Sequence, residues 1–374
     1  MKNLIPLVDL YAQYIKYKEE FDDAIAQCIR SSSFIGGNDW DAFREEFADF
    51  CGGGYVALCG NGTDALYLAI MEILGPGDGL CEVITVSFTF AATAEAIILA
   101  GYIPVFIDID PSTYLMDTSL IEEAIKPITK AILPVHLYGQ MVPMDELAAI
   151  ASKYNIPLIE DAAQAHGSTW KGNGPGYWGQ AACFSFYPSK NLGAWGDAGA
   201  IFTQDKDLAN RIQMRANHGR KSKYEHNFVG TNSRLDGIQA AILRVKLRHL
   251  KEWNETRVRI ASLYSEALRD LRAIVLPLKR REAEHIYYLF TVQVENRDPI
   301  IEKLNRDGIG ASIHFPIPLH EQPAFSNFGP FPNGLPKTHS ISRRIFSLPL
   351  YPEMTDEQIN KIILSMRTAV QEFC

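Results

Sequence analysis

Between about residues 55 and 215, short apolar segments alternate with segments whose apolar residues recur at helical spacing. The apolar segments are rich in Val, Ile and Phe and do not alternate with polar residues, which is typical of strands buried on both faces. Strands separated by such helices predict an α/β fold with a mostly parallel, seven-stranded sheet. The predicted strands are Tyr55–Cys59, Glu82–Val86, Pro104–Ile107, Ala131–Val135, Pro157–Ile159, Ala182–Ser185 and Ala200–Thr203.

The pattern changes after about residue 235. Two long helical segments are followed by one strand-like segment, further helical patterns and a loop rich in Pro and Gly. We therefore predict a large domain over residues 1–250 and a small C-terminal α+β domain over residues 251–374. The helical segments predicted along the whole chain are Thr63–Leu74, Met144–Tyr154, Leu208–Ala216, Leu235–Leu250, Asn254–Leu271, Pro299–Asp307 and a last helix after Pro352.

Composition limits the classes of partner. The chain has 374 residues, a net charge of −8 and 47% apolar residues, so a basic surface for nucleic acid is not expected. The most apolar stretch, residues 96–107, is too short to span a membrane, and the N-terminal segment lacks the pattern of a signal peptide. We expect a cytoplasmic protein.

The six cysteines form no CxxC pair, so neither a zinc ribbon nor a redox pair is indicated.

The first segment with chemical meaning, Asn61–Leu66, lies between the first strand and the first helix. Gly62 allows a tight turn and a close approach to a ligand, and Thr63 adds a hydroxyl donor. The N-terminus of a helix presents free N–H groups and a partial positive charge, which favour phosphate. Plain helix capping explains the same residues equally simply.

The second segment, Ile159–Gly167, begins at the end of an apolar strand and carries Glu160 and Asp161. The carboxyl ends of parallel strands are where open α/β sheets bind ligands. A partly buried Asp161 would bind a cationic ring nitrogen. A capping role or an ordinary ion pair is the alternative.

The third segment, residues 183–200, contains Ser185 and Lys190 among aromatic and small residues. An amine lodged against apolar surroundings is a nucleophile for carbonyl groups. Taken alone, a lysine in such a loop more often has a solvated side chain. Its meaning depends on the two segments that precede it.

The three segments follow in the order that pyridoxal phosphate requires: a phosphate cup, an acid for the ring nitrogen and a lysine. The sequence resembles the fold type I pyridoxal-phosphate enzymes. More narrowly, it is similar to the nucleotide-sugar aminotransferases of the DegT/DnrJ/StrS family. This resemblance extends from Pro6–Leu10 to Ser347–Pro352.

The resemblance assigns roles around the cofactor. It implies that Lys190 carries pyridoxal 5′-phosphate, that Asp161 pairs with the ring nitrogen and that Gln164 lies near the ring hydroxyl. Phe90, in the Thr89–Thr93 motif, would stack on the ring, with a core phenylalanine as the alternative. The residues implied to hold the phosphate are Gly62, Thr63, Asp64 and Ser185.

A further motif, Gly230–Asp236, implies a homodimer with shared active sites. In the family its asparagine, here Asn232, reaches the phosphate bound by the neighbouring subunit. Arg234 would then line the substrate pocket. A surface ion pair is the alternative for Arg234.

Near the C-terminus, residues 313–323 resemble the loop that binds the sugar in the family. This implies contacts from His314, Phe315 and His320. Tyr224 and His226 would also face the sugar, unless they lie in a mobile surface loop. No Cys or acidic residue stands at ligand spacing from the two histidines of the 313–323 loop, so we expect no metal site.

The resemblance implies an aminotransferase that uses L-glutamate to aminate a nucleotide-linked keto sugar. The tract of residues 230–243 and the segment 223–226 favour amination at the 3-position, and the 4-position is the alternative. Dehydratases of the same fold replace the lysine with histidine, whereas this chain has Lys190. A non-catalytic regulator would not need the set Lys190, Asp161, Gln164 and Ser185. A nicotinamide-dependent enzyme is not supported, because no G-x-G-x-x-G follows the first strand.

Overall fold

A computed structural model describes residues 4–328 and 334–374. Its helices are α1 Leu10–Lys16, α2 Lys18–Ser31, α3 Asn38–Phe50, α4 Gly62–Ile73, α5 Ala91–Leu99, α6 Ile121–Ala124, α7 Met144–Tyr154, α8 Lys206–Ala216, α9 Gly237–Leu268, α10 Arg297–Arg306, α11 Pro336–Ser342 and α12 Asp356–Phe373. Its strands are β1 Tyr55–Cys59, β2 Glu82–Val86, β3 Ile103–Ile107, β4 Thr129–Ile132, β5 Ile159–Asp161, β6 Thr169–Trp170, β7 Ala181–Ser185, β8 Gly199–Thr203, β9 Ala283–Glu284, β10 Phe290–Gln293 and β11 Ile345–Leu348.

The central sheet has the strand order β3-β2-β4-β5-β7-β8-β1 in the described residues. Two parallel bridges, Ile132 to Leu158 and Val135 to Asp161, join its two halves. Only β8 runs against its neighbours. The predicted α/β fold with a mostly parallel sheet is therefore confirmed. Two strands begin two residues away from their predicted positions. β4 begins at Thr129 rather than at Ala131, and β5 begins at Ile159 rather than at Pro157.

Both faces of the sheet are covered, which explains why its strands are apolar throughout. Helix α4 buries Leu66, Leu68 and Ile70 on one face. On the other face, Phe47 of α3 packs edge-to-face on Phe184 of β7, with ring centroids 5.1 Å apart. Burying side chains of this size stabilises the fold by about 1.5–3 kcal/mol each.

Helix α9 runs without a break over 32 residues, although two helical segments were predicted in this region. Its interior contains neither Gly nor Pro, so nothing interrupts the backbone hydrogen bonds. Leu250, Trp253 and Asn254 are all buried and keep one face of the helix against the protein. The boundary predicted near residue 250 falls inside this helix.

The C-terminal region packs β10 and β11, an antiparallel pair, with α10, α12 and the end of α9. The N-terminal segment joins the same core: Ile5 is buried there and forms a bridge with Ile309. The division into residues 1–250 and 251–374 stays a prediction. Among the described residues, no helix combines the length and apolarity needed to cross a membrane.

Candidate functional site

The candidate site lies at the carboxyl ends of the parallel strands. Each connection that leaves this edge carries a polar or aromatic residue of interest. Asp161 ends β5, Ser185 ends β7, and Phe90 follows β2 as the residue before α5. Because parallel strands end at one edge, residues distant in sequence meet here.

Asp161, the last residue of β5, is buried, at 5% exposure. Its Oδ2 accepts a hydrogen bond from Thr93 Oγ1 at 2.8 Å, and its Oδ1 accepts one from the N–H of Ala163 at 3.1 Å. Burial raises the pKa of the Asp161 carboxyl, and the Thr93 hydroxyl and the Ala163 N–H oppose that rise. No ion pair among the described residues neutralises it, so this carboxylate suits a cationic ligand atom.

The side chain of Gln164 is held in place by a backbone group. Its Oε1 accepts a hydrogen bond from the N–H of Tyr138 at 2.7 Å, and the side chain is buried. Since the carbonyl end of the amide is used, its two N–H groups are the ends left to bind a ligand oxygen. Tyr138 holds a left-handed backbone conformation, with φ 57°, at this turn.

Lys190 is half-buried and lies in the loop after β7. Its backbone N–H donates to Tyr187 O at 2.9 Å. Its Nζ lies 4.5 Å from the ring centroid of Tyr288, a cation–π distance. The next residue, Asn191, donates to Asn254 of α9 at 2.8 Å. Because Asn254 also donates to the carbonyl of His166 at 2.8 Å, one residue of α9 ties the lysine loop to the loop after β5.

Two histidines lie near the lysine. His166 is fully buried, and neither of its ring nitrogens has a partner among the described residues. Burial, and then the charge of Lys190, lower the pKa of His166 to about 3. The same two causes lower the pKa of His314 to about 4. Both imidazoles are therefore neutral at physiological pH.

The turn before α4 approaches β7 closely. A Cβ added at Gly62 would lie 2.6 Å from Ser185 Cβ, so a side chain at Gly62 would displace Ser185. Gly62 and Thr63 are the first residues of the helix, and their N–H groups have no acceptor within it. Asp64 differs from them: its N–H donates to Asn61 Oδ1, and its carboxylate accepts from Ser233 Oγ.

Aromatic residues form one wall of the site. Phe90 is 61% exposed, which does not fit the core position considered as its alternative. Its ring centroid lies 6.4 Å from that of Phe315. Phe315 in turn stacks on Tyr138 at 6.4 Å with an interplanar angle of 8°. Tyr138 Oη donates to His314 O at 2.6 Å, which ties the 313–323 loop to the sheet edge.

The remaining predicted residues are placed differently. His320 is joined to Ser87, after β2, by a contact of 2.7 Å between Nδ1 and Oγ. Tyr224 is 83% exposed, and His226 is exposed with its Nδ1 2.8 Å from His218 O. In the part of the chain that the structure describes, no hydrogen bond joins Tyr224 or His226 to Lys190 or Asp161.

Asn232 is also exposed, on the segment that pairs with Asn217. Arg234 donates to Asn217 Oδ1 at 3.3 Å, and its buried Nε has no partner among the described residues. Arg234, Asn217 and Arg220 are among the residues that line a cavity of about 260 Å³. The ion pair between Arg234 and Asp236 considered as an alternative is not formed. Among the described residues, no hydrogen bond or ion pair joins Asn232 or Arg234 to Lys190, whereas their neighbour Ser233 contacts Gly60 and Asp64 of the turn before α4.

Three residues of the site were not identified from the sequence: Thr93, Tyr288 and His166. Thr93 and His166 both lie within motifs that the sequence analysis identified, so their position in the sequence next to other motif residues could have indicated them. Tyr288 had no such signal, because it lies 98 residues after Lys190 and reaches it only through the fold. In the described residues, no three His, Cys, Asp or Glu side chains are grouped as metal ligands.

Comparison with known proteins gives consistent results. Residues 16–367 match the DegT/DnrJ/EryC1/StrS aminotransferase family. The chain is 42% identical over 366 residues to the UDP-2-acetamido-2-deoxy-3-oxo-D-glucuronate aminotransferase of Pseudomonas aeruginosa, covering 98% of this chain and 100% of the relative. It is 42% identical over 364 residues to a pleiotropic regulatory protein of Geobacillus stearothermophilus, covering 96% of each chain.

Among solved structures, the fold is similar to that of DesV from Streptomyces venezuelae, determined in complex with a ketimine intermediate. The TM-score is 0.95, the sequence identity is 39%, and 99% of each chain is covered.

Proposed function

Because the chain belongs to the DegT/DnrJ/EryC1/StrS aminotransferase family, we propose that it transfers an amino group from L-glutamate to a nucleotide-linked keto sugar, using pyridoxal 5′-phosphate. The observation that carries this proposal is the buried carboxylate of Asp161, which forms no ion pair among the described residues, at the same sheet edge as the loop of Lys190. An acid and an amine at one sheet edge are the two groups that a pyridoxal ring requires at its opposite ends.

The residues of the site fit this cofactor. Asp161 offers a carboxylate that forms no ion pair among the described residues, which suits a protonated ring nitrogen. Gln164 has its amide N–H groups left for the ring hydroxyl oxygen. The close approach of Gly62 to Ser185 forms a narrow cradle at the start of α4, where a phosphate would meet free N–H groups.

When bound, pyridoxal phosphate supplies an electron sink that stabilises negative charge on a neighbouring carbon. Lys190 Nζ would hold the cofactor and would also be the group that moves a proton to and from the reacting carbon. Asp161 keeps the positive charge on the ring nitrogen. Gln164 and Phe90 orient the ring from its edge and its face, because one is a fixed donor and the other an exposed aromatic.

The phosphate and the sugar would be bound by the other predicted residues. Thr63 and Ser185 would donate to the phosphate oxygens, as would Asn232 of the partner subunit. Asp64 would act differently from its neighbours, because its own N–H and carboxylate are already used within the turn. Its contribution is to hold the turn in shape.

For the sugar, we propose contacts from His314, Phe315 and His320 on one chain. Tyr224, His226 and Arg234 would contribute from the partner subunit; within one chain, His226 and Arg234 contact His218 and Asn217 rather than Lys190. This arrangement makes the homodimer necessary for the complete site. The relative from Pseudomonas aeruginosa carries 3-oxo in its name, which supports amination at the 3-position here.

Two other functions were considered. The name of the Geobacillus stearothermophilus relative favours a regulatory protein. A regulator could bind the cofactor without turnover, so a lack of any transamination would favour it. A dehydratase would be favoured by histidine at position 190, and Lys190 argues against it.

The proposal is tested by incubating the purified protein, loaded with pyridoxal phosphate, with L-glutamate and 3-keto or 4-keto sugars on dTDP, UDP and GDP. Mass spectrometry should detect the exchange of a keto oxygen for an amino group on a 3-keto sugar. The matched control is Lys190→Ala, which should form no product. Amination of 4-keto sugars alone would contradict the 3-position, and no product from any sugar would contradict the aminotransferase proposal.

A further inference from the structure

Two buried threonines form a directed chain of hydrogen bonds that ends on Asp161. Thr93, in the first turn of α5, donates to Asp161 Oδ2 at 2.8 Å. A hydroxyl has a single hydrogen, so the hydrogen of Thr93 is committed to the carboxylate. Thr89 Oγ1 lies 3.0 Å from Thr93 Oγ1 and must therefore be the donor of that pair. The chain runs from Thr89 to Thr93 to Asp161.

Neither packing nor helix capping requires the hydroxyl groups of these two threonines. Thr93 is 0% exposed and Thr89 is 3% exposed, with Ala92, Ala94 and Phe88 as buried apolar neighbours along the chain. Valine has nearly the same shape and would fill these positions without a buried hydroxyl. A buried hydroxyl is costly unless it is hydrogen-bonded, so the two hydroxyls are best explained by what they bind.

The bonds also limit what the carboxylate can do. Asp161 Oδ1 is oriented by the Ala163 N–H and Oδ2 by Thr93, so both oxygens are held and rotation of the carboxylate is restricted. Burial opposes the ionised form of Asp161, whereas the Thr93 hydroxyl, the Ala163 N–H and the electrostatic interaction with Lys190 favour it. A hydroxyl donor favours the ionised form of its acceptor and makes a stronger bond with it.

We propose that Thr93, oriented by Thr89, is a positioning residue that holds the Asp161 carboxylate ionised and directed at the ring nitrogen of bound pyridoxal phosphate. The inference rests on the proposed function, because it concerns the same site. Thr93 contacts the cofactor only through Asp161, so its effect is on the protonation of the ring nitrogen and on the affinity for the cofactor.

The test uses pyridoxal phosphate labelled with ¹⁵N in the ring, added to the cofactor-free full chain. Nitrogen NMR reports whether the ring nitrogen is protonated, and fluorescence titration gives the dissociation constant. Thr93→Val should shift the nitrogen signal towards the unprotonated form and weaken binding about 10- to 100-fold. Thr93→Ser, which keeps the hydroxyl, should restore the wild-type signal.

Thr85→Val is the matched control, because Thr85 is a buried threonine whose hydroxyl donates to Leu133 O and not to Asp161. It should leave the nitrogen signal unchanged. Thr89→Val removes the outer donor, so it should shift the signal in the same direction as Thr93→Val but less. It also keeps the inference testable if Thr93→Val fails to fold, which the melting temperature of the cofactor-free chain would reveal.

The outcomes separate the two claims. A wild-type chain that does not take up pyridoxal phosphate overturns the proposed function together with this inference. A wild-type chain with a protonated ring nitrogen, and the same signal and affinity in Thr93→Val, overturns the inference alone. Where only Thr89→Val can be measured, a wild-type signal overturns it.

Discussion

Replacing Asp161 by asparagine should keep the fold and remove most of the activity. Asparagine has the same shape, and its side-chain oxygen can still accept from the Ala163 N–H. The Thr93 hydroxyl can turn to accept from the new amide group and donate its own hydrogen to Thr89 Oγ1, which lies 3.0 Å away. What is lost is the negative charge that faces the protonated ring nitrogen.

The size of the loss follows from that charge. Two opposite unit charges about 4 Å apart interact by about 4 kcal/mol at the effective dielectric constant suited to buried protein sites. At 1.36 kcal/mol for each factor of ten, the rate of proton transfer should fall about 1,000-fold. The ring nitrogen is then largely neutral, and the cofactor withdraws electrons less strongly.

The assay is stopped-flow absorbance of the half-reaction with L-glutamate, so that proton transfer is followed without the sugar. Asp145→Asn is a matched control, since Asp145 lies away from the site and binds Trp170 and Lys171. It should react at the wild-type rate. An Asp161→Asn variant with an unchanged melting temperature and a rate within tenfold of wild type would refute the reasoning.

Two further predictions concern the dimer and stability. We expect two variants, Lys190→Ala and Asn232→Ala/Arg234→Ala, to be inactive when each is assayed alone. After subunit exchange, activity should return, because one of the two sites in the mixed dimer then has both groups intact. No recovery of activity, with exchange confirmed by mass spectrometry, would contradict the shared site. Burial lowers the pKa of Lys246 to about 7. Above that pH the unfolded chain binds more protons than the folded chain, so the free energy of unfolding should rise between pH 7 and 10. Lys246→Met should remove this rise in urea unfolding and add about 2–4 kcal/mol at pH 7, whereas parallel pH profiles for the two proteins would contradict it.

The strands were predictable because burial on both faces leaves a local signature. The runs at Tyr55–Cys59 and Glu82–Val86 have the predicted bounds, since apolar residues fill each strand to its ends. β5 was shifted, because Asp161 is charged and was assigned to the loop, although the fold buries it. Hydrophobic patterning thus fails at the very residue where the site requires a buried charge.

Other features depend on contacts that no local pattern reveals. Helices α1, α2 and α3 precede the predicted strands, and none of them was predicted from the sequence. Thr93 reaches Asp161 across 68 residues, and Tyr288 reaches Lys190 across 98. The motifs located Asp161 and Lys190, but the residues that hold them in place emerge only when the chain is folded.

The central claim, that Lys190 holds the cofactor, is tested most directly by chemical labelling. The full chain is loaded with pyridoxal phosphate, reduced with borohydride and digested, and the modified peptide is identified by mass spectrometry. We expect the pyridoxyl group on Lys190, whose Nζ lies 4.5 Å from the centroid of the Tyr288 ring. A label on any other lysine, or no label on a chain that binds the cofactor, would contradict the assignment.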